Sequence, residues 1–314
     1  MNKLQITTRI GCRVACTYCP QDLLVQTYLT RSHCRELRFD QYTTFLEKLP
    51  KNVEVWFGGM CEPWLNSDCT RMALHTHRKG HIVSAYTTLV GMRATDVKAL
   101  EPIPFGFFRV HLPSASGTEN IPTDDVYMET LSMLLNSRLN YSFHCHDTAV
   151  QPKVAEVLKA AGQSIWFGPT FRRSGNLRGK HWLRLPRRRG RIICKRQQIN
   201  NVLLPNGDVL LCSNDYGQQH ILGNLNEMDY DSLFTGSEYR QVQAGLKDSS
   251  LGTLCRHCEE FCENADTWAE LLNGAYLIDK AWVQARRFRS IADWLSFGRR
   301  MTAKLTKIAR LHPE

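Results

Sequence analysis

Two observations predict an α/β chain with a parallel sheet or barrel: six short strand-like runs, and helix-like segments with recognisable ends between them. The expected strands are Leu4–Thr8, Val53–Phe57, His81–Thr87, Phe105–His111, Tyr141–Cys145 and Ser164–Phe167. Asp40 is expected to cap a helix running to Leu49, and Ser67 another that stops at Gly80. Thr123 precedes a helix with Tyr127, Leu131, Leu134 and Leu135 on one face. Pro152 stands near the start of the next, which carries Val154, Val157, Leu158 and Ala161 and ends at Gly162.

The 314 residues suffice for one large core and a smaller satellite, and 43% hydrophobic content is ordinary for a globular protein. The first ten residues hold charged and polar side chains and no apolar run before a cleavage site, so no secretory signal is expected. No stretch is long and apolar enough to span a bilayer. Twelve cysteines in such a chain point to metal or redox chemistry in a reducing cytosol rather than to disulfides.

Three of these are spaced Cys12-x3-Cys16-x2-Cys19, with Tyr18 before the last, directly behind the first strand. Thiolates this close can each hold one iron of a cubane and leave the fourth iron open to a cofactor or substrate. A zinc module is the rival, with His33 or Cys34 as its fourth ligand. The loop resembles the CxxxCxΦC hallmark of the radical S-adenosylmethionine (SAM) superfamily. That resemblance implies a partial (βα)6 TIM-like barrel with reactive residues at the C-terminal strand ends. It further implies a [4Fe-4S] cluster on Cys12, Cys16 and Cys19 whose open iron chelates SAM, and reductive cleavage of SAM to methionine and a 5'-deoxyadenosyl radical. Gly58-Gly59-Met60-Cys61-Glu62-Pro63 is similar to the family's Gly-Gly-Glu-Pro segment, with two residues inserted. SAM contacts are thus expected from Tyr18, Gly58, Gly59, Glu62, Thr88, Ser114 and Arg172, with Arg173 as an alternative carboxylate ligand.

A second cysteine set lies in the last third: Cys194, Cys212 in the spacing Gly207-x4-Cys212, then Cys255-x2-Cys258 and Cys262. Residues 201–212 alternate as two short strands around Pro205-Asn206-Gly207, a hairpin signal. The block resembles the SPASM or twitch extension that carries auxiliary clusters in radical SAM enzymes. Five cysteines imply a truncated version holding one [4Fe-4S] cluster on Cys194, Cys212, Cys255 and Cys258, with Cys262 spare or a replacement for Cys258. A zinc ribbon is the rival. Cys34, Cys69 and Cys145 read as packing residues, and Cys61 as packing or a substrate contact. His144 and His146 fall where the fifth strand would meet the barrel mouth. Asp215 ranks first as a general base beside a cluster cysteine.

Net charge is +10, and no Asp or Glu occurs from Val157 to Gly207, where Arg172, Arg173, Arg178, Lys180, Arg184, Arg187, Arg188, Arg189, Arg191, Lys195 and Arg196 crowd together. Such a run attracts anions, with Phe171 and Trp182 available for stacking. Residues 267–308 read as a basic amphipathic helix with Trp294, Phe297, Met301, Leu305 and Ile308 on one stripe, suited to docking on the barrel, to a partner or to a membrane surface. The organisation expected is a barrel at 1–170, a basic linker at 171–193, the auxiliary domain at 194–262 and the tail at 263–314. The function expected is a cytoplasmic radical SAM oxidoreductase, peripheral at the membrane if the tail binds there. It would be fed by a one-electron donor such as flavodoxin or ferredoxin and oxidise a carbon centre in a sugar-like or anionic metabolite. Modification of a ribosomal peptide, and a metal-bearing nucleic-acid-binding module, are the alternatives.

Overall fold

The computed structural model describes residues 2–168, 170–177, 188–194, 196 and 199–265. Six parallel strands run side by side: β1 (Lys3–Ile6), β2 (Glu54–Phe57), β3 (Val83–Thr87), β4 (Phe108–His111), β5 (Tyr141–Cys145) and β6 (Ile165–Phe167). Side chains alternate across each strand, and the two faces differ in kind. Leu4 and Ile6, Val55 and Phe57, Val83 and Ala85, Phe108 and Val110, and Phe143 and Cys145 join one apolar core with the helices. The opposite face carries Glu54, Ser84, Tyr86, Arg109, His111, His144 and Trp166, joined by polar contacts such as Lys3–Glu54 at 2.8 Å and Ser84–Glu54 at 2.6 Å. A polar concave face on a parallel sheet is what a barrel with an open mouth requires.

The connecting helices are α1 (Gln21–Leu29), α2 (Phe39–Glu47), α3 (Cys69–Arg78), α4 (Ala94–Leu100), α5 (Asp125–Leu135) and α6 (Pro152–Ala160). Four of these were legible in sequence, but their caps shift. Arg38 rather than Asp40 is the N-cap of α2, with Asp40 in the first turn, and Asp68 rather than Ser67 precedes α3. Asp124 caps α5 by accepting from the Tyr127 N–H at 2.9 Å. Helix α6 starts at Pro152 as expected and buries Val154 and Leu158, while Ala161 is exposed. Helices α1 and α4 carry weaker sequence signals: α1 buries only Leu24 and Tyr28, and α4 is seven residues long.

The hairpin joins the large sheet. Strands β8 (Asn201–Leu203) and β9 (Asp208–Leu210) form it, but β8 also pairs in parallel with β1, Leu4 against Asn201, and β10 (Ile221–Asn224) extends the same sheet. The nine-stranded sheet runs β10-β9-β8-β1-β2-β3-β4-β5-β6. Among the described residues, only β7 (Ile192–Cys194) and β11 (Cys262–Asn264) form a separate two-stranded ribbon, with helix α7 (Ser237–Lys247) between them in sequence. The tail expected at 267–308 and Arg178, Lys180, Trp182, Arg184, Arg187 and Lys195 of the basic run lie outside the described residues. Among the described residues, no helix is long and apolar enough to cross a membrane.

Candidate active site

The loop leaving β1 carries Cys12, Cys16 and Cys19 at the C-terminal edge of the sheet. Its shape is imposed from both sides: the Thr17 N–H donates to the Thr118 carbonyl at 2.8 Å and the Asn120 N–H to the Val14 carbonyl at 2.7 Å. Ala15 between two of the cysteines is left-handed at φ 46°, a conformation that L side chains rarely adopt. The sulfurs meet hydrogen-bond donors. The Glu62 N–H points to Cys12 Sγ at 3.4 Å, and Gln21 Nε2 lies 3.2 Å from Cys19 Sγ. Burial pushes the Cys12 thiol up to about 11 and that of Cys16 up to about 12. A bound cation would offset this cost of forming thiolates.

Behind the loop, the glycine segment serves the protein first. Gly59 is left-handed at φ 57°, and a Cβ there would lie 2.5 Å from Thr7 Oγ1, so the glycine permits close approach to β1 rather than only room for a ligand. Glu62 is buried and accepts from Thr87 Oγ1 at 2.7 Å, Thr88 N at 2.5 Å, Thr88 Oγ1 at 2.7 Å and Trp64 N at 3.2 Å. Burial raises its carboxyl to about 7 against these bonds. Glu62 and Thr88 therefore bind each other across β2 and β3, next to Cys12. Ser114 is likewise spent: its N–H donates to Glu119 at 3.1 Å and its hydroxyl pairs with Thr118 at 2.8 Å. Arg172 is buried, with its backbone N–H on Glu259.

The mouth of the barrel is lined instead by a group that sequence reasoning grasped only in part. His111, His144 and Trp166 are direct register partners on β4, β5 and β6 and so share a face. His144 stacks on Trp166 at 4.6 Å between centroids, and His146 packs 4.2 Å from His144 and 4.9 Å from His111. Tyr86 Oη is 2.6 Å from His144 Nδ1. Tyr18, expected to meet SAM, sends its hydroxyl to Glu119 at 2.7 Å, and its ring lies 5.0 Å from His146. It thereby joins the cysteine loop to the histidines. Burial and the neighbouring cations lower His144 to about 2 and His146 to about 3, so both are neutral. His144 Nε2 and His146 Nδ1 are buried without a hydrogen-bond partner, as is Arg173 Nε, on a residue at φ 52°. Trp166 is 57% exposed. Histidines and aromatics ending successive strands were the available signal, but only the register reveals that they meet.

The second cysteine set converges from four segments. Cys194 on β7 stands opposite Cys262 on β11, Cys212 follows β9, and Cys255 and Cys258 belong to the 3-10 turn at Leu254–His257 and its C-cap. All five line one hollow with Leu211, Leu254 and Phe261. Cys262 stands among the other four. It shares hydrogen bonds with Cys194, Cys255 and Cys258, and its bond pulls the Cys258 thiol down to about 5. Backbone N–H groups of Phe261 and Arg196 point to Cys258 Sγ at 3.3 Å and Cys194 Sγ at 3.5 Å. Among the described residues no three His, Cys, Asp or Glu side chains form a single-ion site. An apolar hollow ringed by thiols fits an iron–sulfur cluster.

Asp215 does not face the mouth. It is fully buried, and its two oxygens accept from the backbone N–H groups of Gln219 at 2.9 Å and His220 at 2.8 Å. The carboxylate braces a turn through these two bonds.

The family model of an iron–sulfur cluster-binding domain, SPASM, matches residues 194–259. No curated protein matches the sequence. Among solved structures, the chain is similar to BtrN in complex with AdoMet and 2-DOIA, at 16% identity and TM-score 0.56 over 84% of this chain and 94% of that one. It is also similar to native anSMEcpe with bound AdoMet, at 14% identity and TM-score 0.55 over 90% and 97%. A further similar structure is native anSMEcpe with bound AdoMet and Cp18Cys peptide, at 13% identity and TM-score 0.54 over the same shares. At these identities the likeness is one of fold. The chain therefore shares its fold with these AdoMet-bound structures, and its residues 194–259 match the SPASM iron–sulfur cluster-binding model.

Proposed function

We propose that this chain is a radical SAM oxidoreductase with a SAM-site cluster on Cys12, Cys16 and Cys19 and one auxiliary cluster on Cys194, Cys212, Cys255 and Cys258. The observation that carries the reading is the junction at Tyr18. A three-thiol loop at the C-terminal edge of the sheet touches, through one ring, a polar mouth lined by His111, His144, His146 and Trp166. When bound, the first cluster with SAM supplies a 5'-deoxyadenosyl radical that takes a hydrogen atom from a substrate carbon.

The protein's own residues hold the substrate. A neutral imidazole offers one N–H and one lone pair, so His144 Nε2 and His146 Nδ1 suit hydroxyl groups, and Trp166 offers an exposed ring face. Arg173 supplies positive charge for an anionic substituent. These features support oxidation of a hydroxyl-bearing or anionic metabolite, with His144 and His146 orienting its hydroxyl by hydrogen bonds; an auxiliary cluster on the later cysteines would supply an electron acceptor. A flavodoxin- or ferredoxin-class protein would deliver the priming electron. Peptide modification is the second reading, supported by the fold shared with anSMEcpe, whose structure holds a peptide.

The test is anaerobic reconstitution followed by reduction with SAM present. Two cubanes require roughly eight irons per chain, and 5'-deoxyadenosine should form. Colourless protein that retains zinc and leaves SAM intact would overturn the reading in favour of a binding module.

A further inference from the structure

The segment from Cys212 to Tyr216 touches both thiol sets. At one end Cys212 lines the auxiliary hollow. At the other, Tyr216 Oη lies 3.2 Å from Cys19 Sγ, on a side chain that is 3% exposed and packed among Ile10, Leu24, Tyr28 and Met60. The span between them is braced. The Asp215 N–H donates to the Cys212 carbonyl at 3.0 Å, the Asp215 carboxylate holds the next turn, and Asn176 Nδ2 donates to the Asn214 carbonyl at 2.7 Å. The phenol therefore cannot swing away from Cys19 without disturbing the strand end that carries Cys212.

We infer that Tyr216 is a tuning residue of the SAM-site cluster, a hydrogen-bond donor to Cys19 that the auxiliary domain supplies. The inference rests on the cluster assignment proposed above. A metal-bound thiolate has no proton to give, so the phenol O–H is the donor in that state, alongside Gln21 Nε2 at 3.2 Å. Hydrogen bonds to ligating sulfur disperse the charge gained on reduction and raise the cluster's potential. Cys19 thus receives two side-chain donors, one of them from 197 residues further along the chain, while Cys12 meets the backbone N–H of Glu62.

Tyr216→Phe removes the hydroxyl and keeps the ring, so the packing around it should survive. The experiment is an EPR-monitored redox titration of the reconstituted variant and wild type, with the SAM-site signal identified by its change on adding SAM. The expected result is unchanged iron content, an unchanged auxiliary midpoint, and a SAM-site midpoint moved to more negative potential by about tenfold in the reduction equilibrium, about 59 mV for one electron. An unmoved SAM-site midpoint, or an equal shift at both clusters, would overturn the inference. If wild-type protein shows no SAM-responsive signal, the cluster assignment itself fails, an outcome recognisable before the variant is examined. Should Tyr216→Phe lose iron, Gln21→Leu serves as the second probe of the same sulfur. A negative shift there supports donor tuning at Cys19, and none sinks it.

Discussion

The two thiol sets are built in opposite ways. Cys12, Cys16 and Cys19 lie within one loop of a parallel sheet and are each half-buried, whereas the five later cysteines come from separate segments, with Cys255, Cys258 and Cys262 fully buried. A contiguous loop can leave a metal corner open toward the barrel mouth. A site closed by β7, the β9 end, a 3-10 turn and β11 surrounds its occupant with protein. The contrast teaches that local spacing defines the reactive site, while tertiary pairing defines the enclosed one.

The strongest way to break this comparison is to remove one set at a time. Replacing Cys12, Cys16 and Cys19 together with alanine should abolish 5'-deoxyadenosine formation and remove about four of roughly eight irons, which chromatography and iron assay would reveal. Retained cleavage would sink the assignment. Within the enclosed set, Cys255→Ser should lose most auxiliary iron, whereas Cys262→Ser should keep most of it. The reverse order would make Cys262 a ligand.

Acid sensitivity sharpens the comparison at the mouth between them. His144 and His146 have folded-state values depressed from 6.5 to about 2 and about 3, so between those limits the unfolded chain binds more protons. Stability from this source is full above pH 6.5 and is lost as pH falls. At up to ~1.4 kcal/mol per unit for each group, thermal melts should show roughly 2–4 kcal/mol lost from pH 6.5 to 5. The double variant His144→Asn, His146→Asn should flatten that slope, and an identical slope would refute the account.

The smallest effect is expected at His220. Its Nε2 accepts from Leu254 N at 3.1 Å and its Nδ1 pairs with Glu238 at 2.7 Å, which steadies the turn that presents Cys255. His220→Ala should slow auxiliary-cluster loading a few-fold without touching the SAM-site signal. A uniform loss of both clusters would point to general destabilisation instead.

Much of this molecule was legible from residue order. The six strands were found, the fifth at its observed bounds, the first shifted toward Thr8 and the others somewhat long, because their apolar residues are local. Both cysteine sets stood out because thiols in short spacing are rare without metal chemistry. What escaped depends on partners distant in sequence. The bonds of Glu62 to Thr87 and Thr88 join two strands and leave no trace in its local sequence. The bonds of Asp215 to the Gln219 and His220 N–H groups depend on a turn that spacing does not announce. The histidines needed the register of β4 with β5, and the hairpin needed the pairing of β8 with β1, neither of which periodicity encodes.

That last pairing has a consequence for biosynthesis. Strand β1 keeps an open edge until Asn201 emerges from the ribosome to meet Leu4, so the nascent thiol loop waits through most of translation with its supporting strand half-zipped. The support of this loop therefore depends on a pairing of high sequence separation, which forms only after β8 has been made.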